Sequence, residues 1–154
     1  MTLWSPEQRY RLAFEENLLA EQGFDHFAFE APTAASITTV RGTHRSTSGM
    51  AYRLAAWLGQ HYPNRMPGLY VLSPDQLIGY GRKRMIDYGT SHAMHTWATD
   101  WSSYVKICHC KEEFWSASVT LVEVLLKGAL WLEAYEAHCR TGLPIDAYSL
   151  TYGY

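Results

Sequence analysis

The sequence predicts an α+β fold, with one antiparallel sheet between an N-terminal helix and a long C-terminal helix. Three observations predict it. Residues 5–22 carry a helix start signal and four-residue apolar spacing. Residues 50–58 place apolar side chains on every second position. Residues 118–140 keep one continuous apolar face.

With 154 residues, the chain is read as one domain from 1 to 154, long enough to bury a core without disulfide or metal staples. Hydrophobic residues at 47% and charged residues at 18% exclude a disordered chain. A formal net charge of −2 gives no general attraction to nucleic acid or anionic lipid, so neither is expected as a partner. Arg82-Lys83-Arg84 is the one basic run and reads as a solvated loop. Three cysteines, two of them one residue apart, do not resemble a secreted disulfide framework. The opening Trp4-Ser5-Pro6-Glu7 reads as a helix start, not a leader, and no apolar run reaches membrane-spanning length. A reducing cytoplasm is the expected compartment.

In the first helix Ser5 is the expected N-cap, Pro6 suits the first turn and Gln8 completes a capping box. Tyr10, Phe14 and Leu18 should form its buried stripe, and Gly23 its stop. Phe27 and Phe29 then alternate as a strand, residues 32–36 turn, and residues 37–43 are β-branched. A polar loop follows over 43–49. Met50, Tyr52, Leu54, Ala56 and Leu58 mark the next strand. A Pro-punctuated link, Tyr62 to Pro67, leads to a short strand over 68–72. Short links between these strands predict a four-stranded antiparallel meander.

Residues 74–101 read as loop with at most a helical turn or two, because Gly79, Gly81 and Gly89 interrupt them. This loop holds His92, His95, Trp97, Asp100 and Trp101. A strand ending in Val105-Lys106-Ile107 then delivers Cys108, His109 and Cys110 to a turn before Trp115. In the last helix Leu121, Leu125, Gly128, Leu132 and Tyr135 share a face with Val124 and Trp131, and Gly142 and Pro144 end it. The tail carries Tyr148, Tyr152 and Tyr154.

The chemistry centres on Cys108. A thiol just after a strand and just before a loop should be held in place and partly exposed, as a nucleophile requires. The other reading is a small buried core residue. Cys110 shares its face if the strand continues, as second nucleophile, relay thiol or inert strand end. His109 would point the opposite way, as a surface histidine. His92 and His95 could lower a thiol pKa or serve as general base toward an incoming amine. Asp100 could deprotonate an attacking lysine. Lys106 and Lys111 flank the thiols and could lower their pKa or accept an acyl group. Cys139 reads as structural and Trp115 as a packing anchor under the cysteine turn.

Three local patterns, in this order, resemble ubiquitin-conjugating enzymes over roughly residues 5–140. Tyr62-Pro63-Asn64-Arg65-Met66-Pro67 before Leu69-Tyr70-Val71 is similar to that family's Tyr-Pro-x-x-Pro-Pro link before its fourth strand. Ile107-Cys108 is similar to its Ile-Cys-Leu triplet, and Trp115-Ser116 with Val119 to Leu126 to its Trp-Ser-Pro and following helix. The nearer resemblance is to the bacterial branch found in short type II CBASS antiphage operons. It implies a cysteine-dependent conjugating enzyme that carries the C-terminus of a cGAS-like nucleotidyltransferase as a thioester and passes it to a lysine amine. It implies no metal or organic cofactor. No phosphate-binding loop is present here, so either ATP is used upstream, for which an activating enzyme is one candidate partner, or the enzyme trades one acyl bond for another.

The chain departs from that family, which has a His-Pro-Asn triplet shortly before its cysteine, in having no asparagine near Cys108. Its asparagines are Asn17 and Asn64, so the oxyanion role falls to His95, a backbone N–H or nothing. Cys108 precedes Trp115 by seven positions and Cys110 by five, and the longer interval lies nearer the family's, which favours Cys108. Two other classes stand beside this reading. One is a non-catalytic binding relative of the same fold. The other is a zinc module using Cys108, His109 and Cys110 with His92 or His95, although ligands one residue apart suit a tetrahedral site poorly.

Overall fold

A computed structural model describes residues 4–24, 26–30, 38–99 and 103–148. Its order is helix α1 (Pro6–Glu21), strands β1 (Ala28–Glu30), β2 (Thr38–Arg45), β3 (Ala51–Leu58), β4 (Gly68–Ser73), β5 (Thr96–Trp97) and β6 (Val105–Ile107), and helix α2 (Leu121–Thr141). Short 3-10 turns lie at Tyr80–Arg82, Met85–Tyr88, Glu112–Phe114 and Ile145–Tyr148. The expected α+β class and the two helices are present. The expected meander, β1 to β4, is the larger part of a six-stranded antiparallel sheet in the order β1-β2-β3-β4-β6-β5. The cysteine strand therefore does not stand apart. It pairs with β4, and the two-residue β5, read from sequence as loop, forms the edge beyond it.

Both long helices begin where their caps require. Ser5 accepts the Gln8 N–H while Gln8 reaches back to the Ser5 N–H. Thr120 and Glu123 do the same for α2, which starts at Leu121, three residues after the expected start. Gly142 ends α2 at φ +78°, a left-handed conformation that suits glycine.

The core lies between the sheet and α2. Tyr52, Leu54, Ala56 and Leu58 of β3 are buried, as their alternation predicts, while Met50 is exposed. From α2, Leu121, Val124, Leu125, Trp131, Leu132 and Tyr135 close the other side. Gly128 lets the helix approach β4, since a Cβ there would come within 2.9 Å of a Leu69 methyl. Among the described residues no helix is long and apolar enough to cross a membrane.

The apolar stripe expected on α1 is on the wrong face. Tyr10 is 80% exposed and Phe14 53%, and Leu18 is half-buried. The buried face is Leu12, Glu15 and Leu19. Glu15 takes a core position because its carboxylate is fully paired: it accepts from Arg11 Nε at 2.8 Å, the Tyr62 hydroxyl at 3.1 Å and the Leu121 N–H at 2.8 Å. A count of apolar residues cannot anticipate a paired charge on the inner face.

Candidate active site

Antiparallel pairing to β5 places the cysteine segment. Thr96 pairs with Ile107, and the ladder runs one residue further, with the Cys108 N–H donating to the His95 carbonyl at 2.8 Å. Beyond Cys108 the chain leaves the sheet. Cys108 and Cys110 therefore do not share a strand face. The Cys110 side chain is fully buried, and its thiol lies 3.1 Å from the Lys111 carbonyl.

Cys108 lines a groove of about 930 Å³ between the loop before β5 and the turn after the cysteines. His92, Trp97, Lys106, Lys111 and Glu112 line it, with Met66 of the Tyr62–Pro67 link, and Trp97 and Lys106 are neighbours across the β5–β6 ladder. The Trp97 indole N–H is buried and has no hydrogen-bond partner among the described residues, so the wall offers a donor to a bound carbonyl. The thiol itself is recessed. Cys108 is only 6% exposed, where partial exposure was expected. Burial, then the neighbouring Cys110 sulfur, pushes its pKa up to about 11, against the opposing pull of Lys111 and Lys127. At neutral pH the resting side chain is a thiol and needs a base to become a nucleophile.

The two loop histidines have different surroundings. His95 is buried, with Nε2 at 2.7 Å from Asp146 Oδ1, and does not line the groove. Burial holds it below the ordinary imidazole range, although Asp146 opposes this. His92 is on the groove wall, 64% exposed, with Nε2 at 3.6 Å from Asp146 Oδ2. One carboxylate thus faces both rings. His95 also adopts φ +49°, a left-handed conformation unusual for a side-chain-bearing residue. The bend is held from several sides: Trp131 Nε1 donates to the Met94 carbonyl at 2.9 Å and the Asp146 N–H to the Ala93 carbonyl at 2.8 Å.

His109, expected at the surface, is 2% exposed. Its Nε2 lies 2.8 Å from the Pro67 carbonyl, and its ring meets Trp115 edge to face. Trp115 in turn donates to the Pro63 carbonyl at 2.8 Å, as an anchor under the cysteine turn would. These two bonds clamp the Tyr62–Pro67 link against the cysteine turn. Cys139, read as structural, is half-buried at the far end of α2, its thiol 3.4 Å from the Ile78 carbonyl. Asp100 lies outside the described residues.

Sequence reasoning missed two groups. Lys127 of α2 is half-buried and interacts with both thiols, and burial lowers its pKa. A lysine between Val124 and Trp131 on an apolar stripe was the available signal. Asp146 gave no such signal, lying 51 residues from His95. Among the described residues no three His, Cys, Asp or Glu side chains gather to hold a metal ion, and His109 and Cys110 face backbone carbonyls instead.

No protein-family model, curated protein or solved structure matches the chain. The site is therefore read from its own residues.

Burial pushes the pKa of His109 down to about 4, from 6.5 for a free imidazole. For a base whose folded pKa is depressed, the unfolded chain takes the proton first. Stability is thus complete above pH 6.5 and falls as the pH drops toward 4, by on the order of 3 kcal/mol for this one group. Urea melts should show this decline already between pH 6.5 and 5, above most carboxylate titrations. The His109→Gln variant keeps a donor for the Pro67 carbonyl but cannot titrate, so its curve should be flatter. Equal slopes for the two proteins would rule His109 out as the cause.

Proposed function

We propose that this protein is a cysteine-dependent acyl carrier. It takes a protein C-terminus as a thioester on Cys108 and transfers it to an amine. The observation that carries this reading is the placement of Cys108 in an open groove, flanked by lysines and by an imidazole backed by a carboxylate. Acyl transfer through sulfur needs these parts: a nucleophile, a base that can move a proton, and room for two substrates. The order of elements around the groove also fits the resemblance to ubiquitin-conjugating enzymes.

On this reading the raised thiol pKa keeps the resting sulfur protonated and unreactive. Donor binding in the groove brings a carbonyl carbon to Cys108, and proton removal from the thiol accompanies attack. The acceptor amine then attacks the thioester, sulfur leaves and an amide remains. The resemblance to the short type II CBASS branch makes the C-terminus of a cGAS-like nucleotidyltransferase the first donor to test, and a lysine the acceptor. Activation of the donor carboxylate would take place on another protein.

The test is intact mass spectrometry of the chain incubated with such a nucleotidyltransferase and an ATP-dependent activating enzyme. A mass increase equal to the donor less one water, reversed by thiol reductant and mapped to Cys108, is the expected result. A chain that never gains a reductant-sensitive adduct, from that donor or from a synthetic peptide thioester, would overturn the reading.

A further inference from the structure

The carboxylate of Asp146 is shared between a buried and an exposed imidazole. His95 Nε2 is hydrogen-bonded to Oδ1 at 2.7 Å, and His92 Nε2 stands 3.6 Å from Oδ2, a charge-pair distance. Asp146 is fixed from behind. It sits in the turn Ile145–Tyr148, its N–H is bonded to the Ala93 carbonyl, and Ile145 beside it is fully buried. The segment after α2 is thus stapled to the loop that carries both histidines. The ring of His92 lines the same groove as Cys108, whereas His95 does not.

We propose that Asp146 is a positioning residue of this groove, tying His95 into the wall and presenting His92 as the group that accepts the proton of the attacking amine. The inference rests on the thioester reading given above. A neutral His92 ring that carries its proton on Nε2, the nitrogen nearer the carboxylate, has its lone pair on Nδ1. An amine entering the groove attacks the thioester carbonyl carbon. The new C–N bond forms, the C–S bond breaks, and the amine proton passes to His92. The sulfur of Cys108 leaves as thiolate and takes that proton back, so the products are an amide and a thiol. Return of the proton matters here because a thiol as basic as Cys108 is a poor leaving group without it. The other charged groups at this place are Lys106, Lys111, Glu112 and Glu113, which line the groove, and Lys127 from α2.

Loading and discharge separate this proposal from the reading beneath it. Cys108 is charged by exchange with a synthetic peptide thioester, and release to free lysine is followed in a single turnover. His92→Gln changes an exposed side chain, and the rate of discharge, measured per Cys108 already charged, should fall on the order of 100-fold. In Asp146→Asn, discharge per charged Cys108 should be on the order of 10-fold slower, with Asp146→Glu restoring much of the rate. The double variant should be no slower than His92→Gln alone. Histidine nitrogen NMR should show the His92 tautomer ratio change in Asp146→Asn. Wild-type discharge by His92→Gln, or by a folded Asp146→Asn, would overturn the proposal and leave the thioester reading standing. Failure of Cys108 to load would remove both.

Discussion

Cys108→Ser is expected to abolish the reductant-sensitive adduct, while Cys110→Ser retains it at reduced yield. A serine hydroxyl ionises far less readily than a thiol, so exchange with a donor thioester should stop at Cys108→Ser, or leave a stable ester that reductant cannot remove. The two sulfurs differ in placement. Cys108 faces the groove, and Cys110 is fully buried beneath the turn, with its thiol toward the Lys111 carbonyl. The cysteines are nonetheless coupled, since each interacts with Lys127 and the Cys110 sulfur helps raise the Cys108 pKa. Replacing Cys110 should therefore change how easily Cys108 ionises, not where the acyl group sits. Peptide mapping of the adduct decides the matter. An adduct that survives Cys108→Ser with its reductant sensitivity intact, and disappears only in Cys110→Ser, would move the nucleophile to Cys110.

The alternation in β3 and the stripe on α2 were legible because every residue that defines them is apolar and buried. Both capping boxes were legible in principle, since they involve side chains three residues apart. The inner face of α1 was not, because Glu15 stands where an apolar residue would be expected. Nor was β5, whose two residues pair only because β6 offers an edge. The histidines and cysteines of the site were visible as residue types. Their assignment was not, because it depends on contacts far apart in sequence. His95 and His92 are three positions apart in one loop, yet one is buried and the other lines the groove. Asp146, from the far end of the chain, faces both rings and could not be placed there from sequence.

Glu15→Ala should destabilise the protein by about 3–5 kcal/mol, the range found when one partner of a buried ion pair is removed. The carboxylate is fully buried, and three donors converge on it. Its loss would leave the Tyr62 hydroxyl and the first N–H of α2 unpaired, and the Arg11 guanidinium uncompensated. Arg11 also donates to the Ala117 carbonyl, and to the Val119 carbonyl at 2.7 Å, so the pair joins α1 to the segment between Trp115 and α2. Tyr62 opens the link that His109 and Trp115 hold against the cysteine turn. The consequence should therefore reach the groove. In urea melts Arg11→Ala should cost less than Glu15→Ala, since its side chain is 18% exposed and keeps some water. The double variant should cost clearly less than the sum of the two singles, because each single strands what the other had paired. Costs that simply add would show that the two residues act independently. Iodoacetamide labelling of Cys108 at neutral pH gives the second readout. Loosening the link should expose the thiol and speed labelling in folded Glu15→Ala at low urea, and an unchanged rate would separate this hub from the site.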